Sequence, residues 1–250
     1  LTDAPAGASG RASRRREHDP PALAPPPLRK KSSDPRTRRG PHREGYIMSA
    51  ASVGLTRITR ETAVIEIKGT APLIVHAWSE KARRMMLDAQ MGKKNAKKLK
   101  DPEADFEDSR YKFADGSGDG FPVMGFKSAT VKGGGRIFGK AVKMTELRQN
   151  LLFLPDGVGT DAAQLVRIIG PEPVMREDMV RVGMGTADIR YRAEFRDWSA
   201  LLRIQFVPDL IDLGSVTALV DAGGTNGVGE WRPEKNGSFG TYEVVGEDLA

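Results

Sequence analysis

Apolar and polar positions along the chain predict a short series of elements. Residues 61–68 (ETAVIEIK) place Val64, Ile65 and Ile67 in a strand that ends where Gly69 and Pro72 break it. From Ser79 to about Lys98 the pattern is helical, with Ala82, Met85, Met86 and Ala89 on one side and basic residues elsewhere. Residues 101–120 are acidic and glycine-rich and read as a loop, after which the chain re-enters the core at FPVMGF. Residues 126–144 keep helical spacing, but Gly133, Gly134 and Gly135 interrupt it, which predicts a kinked or split helix. Strands follow at 164–169, 180–183, 189–195 and 200–207, the third alternating strictly as IRYRAEF, and 171–187 reads as an extended hairpin. An amphipathic helix over 212–224 and a strand at 241–245 close the chain.

Strand, helix, strand, strand, helix, strand is the order of a split βαβ unit. The expected class is α+β, a ferredoxin-like (RRM-like) core carrying a helical insertion near 79–120 and a hairpin insertion at 171–187. Residues 48–250 would form that single domain.

The charge is unevenly spread. The first 47 residues hold 11 Lys+Arg and 5 Asp+Glu; taken from totals of 39 and 33, this leaves 28 of each in the remainder. That first segment is rich in Pro, Arg, Ser and Gly without aliphatic periodicity, so it is expected to be disordered. It reads either as translated upstream sequence before a start at Met48, as a basic nucleic-acid-binding arm, or as a processed leader. It lacks the apolar run of a secretory signal, and no stretch approaches the roughly 18 apolar residues of a membrane span. A cytoplasmic protein without membrane contact is expected.

The chain has no cysteine, which removes disulfides, thiolate nucleophiles and cysteine-held metals, and beyond residue 47 its only histidine is His76. No cofactor or metal is expected. The stretch GFPVMGFKS approaches a phosphate-binding P-loop, but Phe126 stands between Gly125 and Lys127 and would misdirect the lysine and the hydroxyl. His76 shows no carboxylate or nucleophile partner in the sequence, so catalysis is not expected.

Three groups suit a polyanion. Lys93, Lys94, Lys97, Lys98 and Lys100 form a dense positive cluster. Arg190 and Arg192 share one face of IRYRAEF, with Tyr191 and Phe195 on the other. The glycine-rich segment GVGEWRPEKNGSFGTYEV offers close backbone approach at Gly227 and Gly229, beside Trp231 and Arg232.

Four segments together resemble the RAMP superfamily, in particular the backbone subunits of CRISPR effector complexes that polymerise along guide RNA. They are TAPLIVH after the first strand, PVMGFKSATVKGGGR leading into the first core helix, the helix near the end, and GVGEWRPEKNGSFGTY, of G-x-G-x-x-R type. The resemblance spans residues 61–245. It implies a palm with a hairpin thumb, here 171–187, and places Lys127, Lys132 and Arg136 near a nucleic-acid backbone. It further implies that Gly227, Gly229, Trp231 and Arg232 lie close to the strand or to a neighbouring subunit, with Trp231 stacking and Arg232 on phosphate. The neutral charge of 48–250 departs from the basic surface usual for such subunits and leaves open a stand-alone relative, for example one carried by a phage or prophage.

The expected function is therefore non-catalytic binding of single-stranded RNA or DNA by a homo-oligomer assembled head to tail. The alternatives are a phage structural protein that assembles without nucleic acid, and an RNA-processing endonuclease with His76 as base.

Overall fold

A computed structural model describes residues 55–78, 80–93, 99–182 and 185–250. The basic segment 1–47, Lys94, Lys97, Lys98 and residue 183 lie outside them. In chain order the elements are β1 (Glu61–Gly69), β2 (Leu73–Val75), α1 (Glu80–Gln90), α2 (Pro102–Ser109), β3 (Gly120–Pro122), α3 (Val123–Ile137), α4 (Met144–Asn150) and β4 (Leu152–Leu154). They continue with β5 (Gly157–Val158), β6 (Gln164–Arg167), β7 (Val174–Val182), β8 (Thr186–Phe195), β9 (Ser199–Phe206), α5 (Leu213–Asn226) and β10 (Tyr242–Leu249).

The main sheet is antiparallel, in the order β10-β1-β9-β4. Counting only its own strands along the chain, that is 4-1-3-2, with α3 between the first and second and α5 between the third and fourth. This is the ferredoxin-like α+β arrangement. Period-two alternation drives it: Ala63, Ile65 and Ile67 are buried on one face and stand opposite Ile204, Leu202 and Ala200. Full burial of such aliphatic side chains is worth about 1.5–3 kcal/mol each. The other face carries Glu66, Lys68, Leu201, Arg203, Leu152 and Val245, with no aromatic side chain. Bases therefore have no ring to stack on across this sheet.

Helices α3 and α5 cover the inner face. A Cβ on Gly133 would overlap the Ala222 carbonyl, and one on Gly223 would lie 2.8 Å from the Thr130 amide, so the glycines let the two backbones touch. Asp212 caps α5 by accepting from the Ser215 amide at 2.9 Å, and Gly227, at φ 73°, ends it. Phe126, Trp198 and Tyr242 meet beneath the helices, with ring centroids 6.2–6.4 Å apart.

Some expectations are corrected. The three glycines do not split α3, which runs unbroken from Val123 to Ile137; packing against α5 and Met144 is what requires them. The predicted extension to 144 instead starts a separate helix, α4. Residues 101–120 are not all loop, because Asp101 caps α2 through the Ala104 amide at 3.1 Å. The second core strand is the three-residue β4, whereas the predicted strand near 164–169, here β6, lies in a small sheet with β3 and β5. The hairpin, β7–β8, spans 174–195 rather than 171–187, because IRYRAEF is its second strand, and it continues the sheet begun by β2. Among the described residues, no helix is long and apolar enough to cross a membrane.

Candidate functional site

The glycine-rich loop after α5 folds back onto β2. Gly240 donates to the Pro72 carbonyl at 2.8 Å and Glu230 to the Ile74 carbonyl at 2.9 Å, while Val228 donates to Gly240 at 2.9 Å. Gly227 and Gly229 sit at φ 73° and 76°, and a Cβ on Gly229 would overlap the Ile74 carbonyl. Trp231, which has a bulky side chain, takes φ 51° in the same loop, a conformation such residues avoid unless their surroundings impose it. TAPLIVH and the glycine-rich segment, about 150 residues apart in the chain, thus form one structure.

The hairpin holds the Trp231 side chain in place. Pairing of Val75 with Ala193 sets His76 beside Arg192, and the β7–β8 register sets Arg176 opposite Arg192 and Asp178 opposite Arg190. Asp178 then accepts from Arg176 Nε at 2.8 Å, Arg192 Nη1 at 3.0 Å and Trp231 Nε1 at 3.3 Å. Glu194 accepts from Arg176 at 3.0 Å and Arg196 at 2.8 Å. Arg192 is only 4% exposed and its Nε donates to His76 Nδ1 at 3.0 Å. Arg176 lies over the Phe239 ring at 4.7 Å and Arg192 over Trp231 at 5.9 Å. Burial alone would raise the Asp178 carboxyl, but the hydrogen bonds from Arg176 and Arg192 prevail and hold it below the usual range. Burial, then the charges of Arg192 and Arg190, push the His76 imidazolium down, so the ring is neutral.

A second group closes the loop from the α3 side. Lys132 pairs with Glu234 at 2.6 Å, and Arg232 donates to Glu234 at 2.9 Å and to the Gly229 carbonyl at 2.7 Å. The hydrogen bond from Lys132, with help from Arg232, holds Glu234 down to about 2. Arg136 donates to the Thr225 hydroxyl at 2.9 Å.

Between loop, α3 and β2 lies a cavity of about 180 Å³. His76, Tyr111, Ser128, Asn226, Glu230, Arg232 and Glu234 supply its polar side chains. Burial raises the Tyr111 phenol to about 12, so it stays protonated and donates to the His76 carbonyl at 3.3 Å.

The structure brings together Lys132, Arg192, Gly227, Gly229, Trp231 and Arg232, with Arg136 at the edge. It does not bring Lys127 to Lys132: at about 100° per residue the two point roughly 140° apart around α3. Arg190 lies farther out on the hairpin, 3.6 Å from Asp188, and Lys93 pairs with Asp88 at 3.3 Å. Lys100 pairs with Asp188 at 2.6 Å. Sequence reasoning missed Arg176, Asp178 and Asn226. The signal for the first two is the alternation MREDM in β7, which sets Arg176 and Asp178 on one face, as IRYRAEF does for Arg190, Arg192 and Glu194. Among the described residues, no three His, Asp or Glu side chains converge to hold a metal.

No family's sequence pattern matches this chain, and no curated protein matches it. Among solved structures, a chain of the Type III-B Cmr-beta assembly, seen by cryo-EM bound to cognate target RNA, is similar at 10% identity with a TM-score of 0.43. The match covers 76% of this chain and 60% of that one, so this chain spans under two thirds of its length. A likeness at that level says nothing of function.

Proposed function

We propose that this protein binds single-stranded RNA or DNA without cleaving it and assembles head to tail along the strand. The observation that supports this best is Trp231. The residue is 40% exposed and held at a strained backbone angle, and its ring is backed by Arg192 and fixed by the indole nitrogen, which makes a rigid platform for a base. The loop beside it presents backbone on glycines, and Lys132, Arg136 and Arg232 line its approach for phosphate. His76 Nδ1 is occupied by Arg192, which argues against a general base there.

One observation favours a second reading. Arg192, Lys132 and Arg232 are already neutralised by carboxylates, and residues 48–250 carry no net charge, as suits a structural protein that assembles without nucleic acid. Light-scattering mass and the ultraviolet absorbance ratio of the full chain, before and after nuclease and at low and high salt, separate the two. Large particles rich in nucleic acid that fall apart with nuclease or salt support the proposal. Large particles free of nucleic acid and indifferent to salt overturn it.

A further inference from the structure

We propose that His76 is a proton-operated latch: a proton on its Nδ1 releases Trp231 from the hairpin and so weakens the hold of the glycine-rich loop on a single strand. The effect on nucleic acid rests on the single-strand-binding reading above; the release of Trp231 does not.

The latch is a chain of three contacts. Arg192 Nε can only donate, so its bond to His76 Nδ1 at 3.0 Å exists only while that nitrogen carries no proton. Arg192 Nη1 and the Trp231 indole nitrogen then donate to the same oxygen, Asp178 Oδ2, at 3.0 and 3.3 Å. Arg192 is only 4% exposed, so a guanidinium nitrogen that loses His76 must turn to another protein acceptor, and Asp178 is the one it already touches.

A proton on His76 sets N–H against N–H and places a second cation beside the buried guanidinium. Neither backbone can yield: Val75 pairs with Ala193, the Ala77 amide donates to the Ser109 carbonyl at 2.8 Å, and Arg192 sits within the β7–β8 ladder. The side chains must part. If the imidazole swings away, the guanidinium moves onto Asp178 and competes for Oδ2 with the indole, whose bond is the longer of the two. If the guanidinium swings instead, Trp231 loses the cation behind its ring. Both routes free the indole.

The charged groups around His76 are Arg190 and Arg192 on β8, Glu230 in the loop and Asp105 on α2. Arg232 and Glu234 share its cavity wall, and the Tyr111 hydroxyl donates to its carbonyl. Burial and the two arginines favour the neutral ring, while Glu230 and Asp105 favour the charged one. Within the latch, Asp178 and Glu194 are held below the usual carboxylate range and the arginines stay charged, so acidification from neutral pH reaches His76 first. An added positive charge ordinarily strengthens binding to a polyanion. The latch predicts the opposite sign.

Acrylamide quenching of Trp231 reads the latch. The full chain has three tryptophans; Trp198 is 1% exposed, and Trp78→Phe leaves Trp231 as the one that quencher reaches. In that protein quenching should rise about twofold between about pH 8 and about pH 5. Affinity for labelled oligouridine, followed by fluorescence anisotropy over the same range, should fall about fivefold, the lower end of one lost base stack. His76→Asn brings an acceptor oxygen that does not titrate and should flatten both curves. His76→Leu offers no acceptor and should show the high quenching already at neutral pH. Thermal melts establish that each protein is folded at each pH. Quenching that ignores pH, that rises equally with His76→Asn, or that stays low with His76→Leu overturns the latch. So does an affinity that holds or rises on acidification. Release of Trp231 without binding to any strand at any pH supports the latch and overturns the binding reading instead.

Discussion

The indole Nε1 of Trp231 donates to Asp178 Oδ2 at 3.3 Å, joining the glycine-rich loop to the β-hairpin across 53 positions of sequence. Because Asp178 also holds Arg176 and Arg192, the exposed ring, the hairpin and the His76 edge of the cavity are positioned by one buried carboxylate.

Arg192→Met should therefore be strongly destabilising. It removes a guanidinium that is 4% exposed and leaves Asp178 with one fewer cation and His76 with an unfilled acceptor. Breaking a buried pair from one side costs about 3–5 kcal/mol. A urea titration should show a lower midpoint with little change in slope; an unchanged midpoint would mean that the network contributes nothing.

Gly133→Ala tests the contact between α3 and α5. Helix propensity alone favours alanine by about 1 kcal/mol. The new methyl would overlap the Ala222 carbonyl, which belongs to backbone and cannot rotate away, so overpacking should dominate at about 1–3 kcal/mol. The measured urea midpoint should fall rather than rise.

Stability should decline on acidification in two stages. His76 has a folded pKa below its unfolded value of about 6.5, so as pH falls past that value the unfolded chain takes up its proton first and stability begins to drop. Glu234, held down to about 2, contributes stability above its unfolded value of about 4.3 and loses it as pH falls from there toward 2; Asp178 acts in the same direction. The Glu234 share is about 1 kcal/mol, since its partners are part-exposed and solvent screens them. Thermal melts over pH should show both stages, with Glu234→Gln flattening the lower and His76→Gln the upper.

Much of the core was legible from alternation alone. Val64, Ile65 and Ile67 marked β1, and IRYRAEF marked β8 by its alternation of charged and apolar side chains, although both faces are buried at 192–195. Strand β4, at three residues, is too short to show one, so the second core strand was misplaced onto β6. The glycines of α3 read as a break because propensity is local, whereas their cause is close packing against α5, about ninety residues on, and against Met144. In the site, Trp231, Arg232 and the glycines were visible as a motif. Arg192 was read as one of a shared pair on a strand face; its burial depends on Asp178 and Trp231, which only the fold brings to it.

The most direct measurement is the affinity of the full chain for a labelled single strand, by fluorescence anisotropy, with and without Trp231→Ala. Loss of one base stack should weaken binding by about 1–3 kcal/mol, or roughly 5- to 150-fold, while the melting temperature stays within a few degrees of wild type. Equal affinity of the two proteins, each folded, would contradict the role of this loop as the platform for nucleic acid.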